Sequence, residues 1–81
     1  MRRVKDYYSL KVGDYVKAIS TQPFDNNEYF VGRVTRFKSL EDCYVIYLYF
    51  TTTSINDKEI FILPSDDIYL LNEEEVMVYA L

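Results

Sequence analysis

Hydrophobic and polar residues alternate along this chain in short blocks, and no run of a dozen residues carries a 3.6-residue period free of a breaker. Turn-forming residues gather at Gly13-Asp14, Gln22 to Asn27, Ser39 to Asp42, Thr53 to Asp57, Pro64 to Asp67 and Asn72 to Glu74. Between them lie blocks of strand length rich in Val, Ile, Tyr and Phe: Tyr15–Ser20, Glu28–Lys38, Asp42–Phe50, Glu59–Leu63, Ile68–Leu71 and Val76–Leu81. Leu10-Lys11-Val12 adds a short lead-in. Short strands at this spacing predict a small all-β barrel or sandwich.

The period of two assigns faces within each strand. Val16 and Ala18 oppose Tyr15, Lys17 and Ile19, while Phe30, Gly32 and Val34 oppose Tyr29, Val31, Arg33 and Thr35. Gly32 in mid-strand predicts a sharp bend or a neighbour lying close to the backbone. The next block is apolar on both sides, with Tyr44, Ile46, Leu48 and Phe50 against Cys43, Val45, Tyr47 and Tyr49. Ile60 and Ile62 likewise oppose Phe61 and Leu63. An antiparallel strand with one wet face is polar on that face. These two strands are therefore expected to be covered on both sides. The cover is either the terminal segments, which carry Tyr7, Tyr8, Val76, Val78 and Tyr79, or another chain.

Composition narrows the chemistry. The chain has 81 residues, which is room for one domain. With 49% hydrophobic and 17% aromatic residues it is rich enough in packing groups to fold. It contains no His, so imidazole ligands, proton shuttles and His-based triads are excluded. Cys43 is single and lies in an apolar run, which reads as a small buried hydrophobe; a reactive thiol lacks a cationic activator nearby in sequence. The only glycines are Gly13 and Gly32, too few for a phosphate-cradling loop. Asp66-Asp67 and Glu73-Glu74-Glu75 sit at turns, where solvation leaves carboxylates ordinary. No catalytic residue, metal ligand or cofactor is expected. The basic start, Met1 to Asp6, has no apolar stretch behind it, and no window approaches a membrane span, so a cytoplasmic protein is expected.

Charge is uneven. Residues 1–40 hold eight basic and four acidic residues, whereas residues 41–81 hold one basic and nine acidic ones, for a total of −4. Such asymmetry suits a polar contact surface or head-to-tail self-association, unless the two halves interleave in space.

The run Leu10-Lys11-Val12-Gly13-Asp14-Tyr15-Val16-Lys17-Ala18 resembles the opening of Tudor-type SH3-like barrels. Tyr29-Phe30-Val31-Gly32-Arg33-Val34 and the run Tyr44 to Phe50 resemble the family's second and third strands, and Glu59 to Leu71 resembles its close. Bromo-adjacent-homology and chromo-barrel modules open similarly. The resemblance spans about residues 10–71. It implies a five- to six-stranded antiparallel barrel with a short helical turn before the last barrel strand. Segments 1–9 and 72–81 then serve as cover or as an extra strand. It further implies an aromatic cage for methylated Lys or Arg, with Phe30, Tyr47 and Phe50 at cage positions. Ser20 and Thr52 stand where the family often has a ring and an Asn. Phe24, in the long first loop Ser20 to Glu28, is a groove contact by the same resemblance.

Together these features point to a non-enzymatic protein-interaction module: a small adaptor, inhibitor or complex subunit. It is expected to bind a protein or peptide through Phe24, Tyr29, Phe30, Tyr47, Tyr49 and Phe50, with an open edge for strand addition or for a homo-oligomer. One alternative is a nucleic-acid module that uses Arg33, Arg36 and Lys38 with Tyr29 and Phe37, or an acidic nucleic-acid mimic of viral or mobile-element type. The methyl-Lys/Arg reader is the other alternative.

Overall fold

Five of the six alternating blocks form strands and the sixth does not. The computed structural model describes residues 1–21 and 28–80; Phe24 and the turn signal at Gln22 to Asn27 lie outside the described residues. The strands are β1 (Arg2–Arg3), β2 (Tyr15–Ile19), β3 (Tyr29–Lys38), β4 (Cys43–Thr51), β5 (Glu59–Ile62) and β6 (Asp67–Leu71). A 3-10 turn, Tyr7–Ser9, follows β1, and a helix, α1 (Glu73–Ala80), ends the chain. All pairings are antiparallel, in the order β1-β6-β2-β3-β4-β5.

The inner faces of five strands meet in one cluster. Val16, Ala18, Val34, Tyr44, Ile46, Ile62 and Ile68 are buried there with Tyr7 and Leu10. Residues of β2 and β5 share this cluster although two strands separate them, so the sheet curls around its own core. It remains open, because among the described residues β5 pairs only with β4 and β1 only with β6. The N-terminal segment bridges the seam. Val4 donates its N–H to the Ile68 carbonyl at 2.8 Å, and Tyr7 then enters the core. Its hydroxyl donates to the Ile62 carbonyl at 2.5 Å and accepts the Tyr44 N–H at 2.8 Å. In return, the Tyr44 hydroxyl donates to the Leu10 carbonyl at 2.8 Å, with the Tyr8 carbonyl at 3.2 Å. The two rings meet edge to face with centroids 5.0 Å apart.

Turns set the register. Gly13 has a φ of +99°, and Asp14 N–H returns to the Lys11 carbonyl at 3.0 Å, the geometry of a turn that needs glycine at its third position. The expected helical turn before the last strand is instead a tight turn. Asp66 N–H bonds the Leu63 carbonyl at 3.0 Å, while the Asp66 carboxylate accepts the Leu63 N–H at 2.9 Å. These reciprocal bonds complete the reversal with no helical residue.

The last block, read as strand or tail, is helical, and its Glu73–Glu75 start is no loose turn. Asn72 caps it: its side-chain oxygen accepts the Glu75 N–H at 2.8 Å, and Glu75 reaches back to the Asn72 N–H at 3.0 Å. Three glutamates in the first turn suit the positive end of the helix dipole. Val76 and Tyr79, three apart, turn inward, while Met77 and Val78 face out.

The close approach expected at Gly32 is present. A Cβ there would lie 2.2 Å from the Tyr47 carbonyl oxygen. Beside it the β3–β4 register slips: Gly32 pairs with Leu48 but Val31 with Phe50, leaving Tyr49 as the extra residue of a bulge. Phe50 is thereby moved to the outer face, against its expected place beside Ile46 and Leu48.

Gly32→Ala is expected to cost about 2 kcal/mol or more, since backbone must move to admit the methyl group; denaturant unfolding of the variant checks this. Burial pushes the Tyr7 phenol up to about 12, opposed by the Tyr44 N–H it accepts. The folded state therefore holds this proton more tightly than the unfolded chain. Its contribution to stability is fully present below about pH 10 and lost as pH rises from there toward 12. Melts across that range are expected to show alkaline destabilisation that is smaller in Tyr7→Phe. At neutral pH that variant is expected to lose about 1–3 kcal/mol for its unpaired backbone groups.

Candidate functional site

The outer face is covered at one end and open at the other. Over β2, β3 and β6, α1 seals Val31 and Leu71 with Val76, flanked by Tyr15, Tyr29 and Tyr79. Over β4, two long cationic side chains reach from β3 to β5. Arg36 pairs with Glu59 at 3.0 Å, and the Lys38 ammonium sits 5.5 Å from the centre of the Phe61 ring. Both spans cross the β4 surface where Val45 lies, and Val45 is buried although it faces outward.

Neither device covers the rest. Tyr47, Tyr49, Phe61 and Leu63 are 42%, 39%, 49% and 39% exposed. Of the two covers expected for β4 and β5, the terminal segments and another chain, the terminal segments do not lie over these residues. The terminal segments are used elsewhere, because Tyr7 fills the inner core and α1 lies over β2, β3, β6 and the Phe50 end of β4, short of Tyr47 and β5. Tyr8 is exposed and donates its hydroxyl to Asp42 at 2.7 Å, and Val78 faces solvent.

The structure sorts the expected site residues into three groups. Tyr47 and Tyr49 stand together on the open outer face, centroids 5.7 Å apart, with Tyr15 6.3 Å from Tyr49. Tyr29 and Phe50 stand together farther along, 5.8 Å apart, and Tyr79 of α1 lies 5.9 Å from each. Phe30 faces the inner core and packs against it. Phe30 and Tyr47 therefore lie on opposite faces and do not share a cage with Phe50. The rings that do converge hold a cation of the chain itself. Lys17 Nζ is 4.2 Å from the Tyr29 centroid and 5.3 Å from that of Tyr79, whose hydroxyl it also meets at 3.2 Å. Sequence reasoning missed Lys17 and Tyr79 as partners. The helix that carries Tyr79 was hidden behind the Val76-Val78-Ala80 alternation, and the Asn72-x-x-Glu75 capping pattern was the available signal.

The remaining chemistry is sparse. Cys43 is buried, and burial raises its thiol pKa, which keeps it protonated. Among the described residues no group of three or more Cys, Asp or Glu is placed to hold a metal ion. No described helix is long and apolar enough to cross a membrane. A groove of about 500 Å³ lies at the other sheet edge, lined by Arg2, Arg3, Lys5, Asp6 and Leu70, with Arg3 paired to Asp67 at 2.6 Å. Of the basic–aromatic set, Arg33, Arg36 and Lys38 share the outer face with Tyr47 by register, whereas Phe37 lies on the opposite face, exposed, with its ring 4.8 Å from that of Tyr44. Comparison of the chain with protein-family models, with curated proteins and with solved structures finds no match in any of the three.

Packing separates the roles of two aromatic residues. Phe30→Ala is expected to destabilise the fold by about 2 kcal/mol, and Tyr47→Ala to change it by less than about 1 kcal/mol; thermal melts of the two variants check this.

Proposed function

We propose that this chain is a non-catalytic protein-interaction module of the SH3-like, Tudor-like kind, and that it binds a protein or peptide through the outer face of β3, β4 and β5. The observation that carries this reading is the uncovered row Tyr47, Tyr49, Phe61 and Leu63, beside Arg33, Arg36 and Lys38. Aromatic residues and Arg are the groups that anchor protein interfaces, because they bury large rigid area and retain a polar handle. The strand order supports the fold assignment, since four consecutive strands form a meander and β6 returns to pair with β2, as a small SH3-like barrel requires.

A second reading draws on the same face. Three cations among exposed rings also suit a single-stranded nucleic acid, which stacks its bases and neutralises its phosphates. The net charge of −4 opposes it, by repelling phosphate at low salt.

The test is affinity capture on the intact chain beside a Tyr47→Ser/Tyr49→Ser variant shown to be folded. A polypeptide held by the parent chain and lost by the variant supports the proposal. Identical capture by both, or no polypeptide retained, overturns it. Tight binding of an oligonucleotide at low salt that falls steeply as salt rises moves the assignment to the second reading.

A further inference from the structure

We propose that the free edge of β5 seats a second copy of this chain, β5 against β5 antiparallel, with Ile60 opposite Ile60 of the second copy. This rests on the protein-interaction reading and names one partner for it.

The edge has a defined length. Leu48 donates its N–H to the Lys58 carbonyl at 2.7 Å. Antiparallel alternation then directs the backbone groups of Ile60 and Ile62 toward β4 and those of Glu59 and Phe61 away from it. Leu63 is next in the outward series, but Asp66 occupies both its N–H and its carbonyl, at 2.9 and 3.0 Å. The edge thus offers two N–H and two C=O groups, from Glu59 and Phe61. A twofold axis at Ile60 sets Glu59 of each copy against Phe61 of the other and satisfies all of them. An axis at Phe61 would call on Leu63, whose groups are taken.

Side chains agree with this register. On the outer side, Glu59 of the second copy arrives beside Phe61, over which Lys38 already rests at 5.5 Å. Each carboxylate, paired with Arg36 of its own copy at 3.0 Å, comes beside Lys38 of the other copy, twice by symmetry, which offsets the repulsion between two chains of charge −4. On the inner side the two half-buried Ile60 side chains meet. The exposed Phe61 and Tyr47 rows become continuous across the axis. The strand is short and carries the charged Glu59, but it lacks other guards of an edge. Its sequence, Glu59-Ile60-Phe61-Ile62, has no Lys and no Pro, and its pairing with β4 is free of bulges.

Sedimentation velocity on the full chain from micromolar to millimolar concentration tests this. A monomer–dimer equilibrium is expected. Phe61→Pro removes the outward N–H and is expected to stay folded by circular dichroism while weakening the dimer about tenfold or more. Lys38→Glu is expected to weaken it as well, and Lys38→Glu/Glu59→Lys to restore it. A monomer at millimolar concentration overturns the proposal, as does a folded Phe61→Pro that dimerises like the parent chain. Should Phe61→Pro unfold, the charge pair decides, and failure of the double variant to recover the dimer overturns the register. The capture experiment with Tyr47 and Tyr49 is read independently, so loss of the dimer leaves the wider interaction reading standing or falling on its own result.

Discussion

The Tyr7 hydroxyl carries a constraint that the inner core depends on. Tyr44 and Ile62 are opposite partners at the end of the β4–β5 ladder, and their buried backbone groups must find partners there. Tyr7 supplies both kinds at once, donating to Ile62 and accepting from Tyr44, while its ring fills the volume between them. Phe has the ring without the hydroxyl, and Ser the hydroxyl without the ring. Tyr44 completes the arrangement in reverse, holding the backbone that leads away from Tyr7. The N-terminal segment is thus committed to the inside of the molecule.

That commitment shapes the surface. With the N-terminal segment turned inward and α1 over β2, β3, β6 and the Phe50 end of β4, no terminal segment within the described residues is left to cover Tyr47, Phe61 and Leu63 on the outer face. The bulge at Tyr49 adds to the exposure. It swings Phe50 outward to join Tyr29 and Tyr79, and it leaves Tyr49 beside Tyr47. The bulge and the glycine belong together, because the Tyr47 carbonyl approaches β3 where a side chain would otherwise stand. One backbone feature therefore separates a self-filled aromatic cluster around Lys17 from an unfilled one around Tyr47.

Much of this was legible in the residues. Strand limits followed from period-two blocks and turn residues, and each of the five correctly read strands falls within a residue of its expected ends. Inner and outer faces were right wherever the pairing is regular. They were wrong at Phe50, because a bulge inverts the alternation beyond it and leaves no mark in hydrophobicity. The cage positions suggested by resemblance failed as a group for a related reason: Phe30 lies inside and Tyr47 outside, so their spacing on the chain does not bring them together. Val76–Leu81 was misread because its alternation fits a strand, while a capping box and an inward pair three residues apart settle it as a helix.

The amino-acid sequence by itself determined five of the six strands, their two faces wherever the pairing is regular, the glycine at the close approach and the surplus of apolar surface on β4 and β5. These are local properties, carried by side-chain period and by turn chemistry over a few residues. Only the tertiary structure decided where that surplus goes. Where Tyr7 and Tyr79 dock depends on contacts such as Tyr7 to Ile62 and Lys17 to Tyr79, between residues more than fifty positions apart, and no local pattern encodes which terminal segment reaches which face.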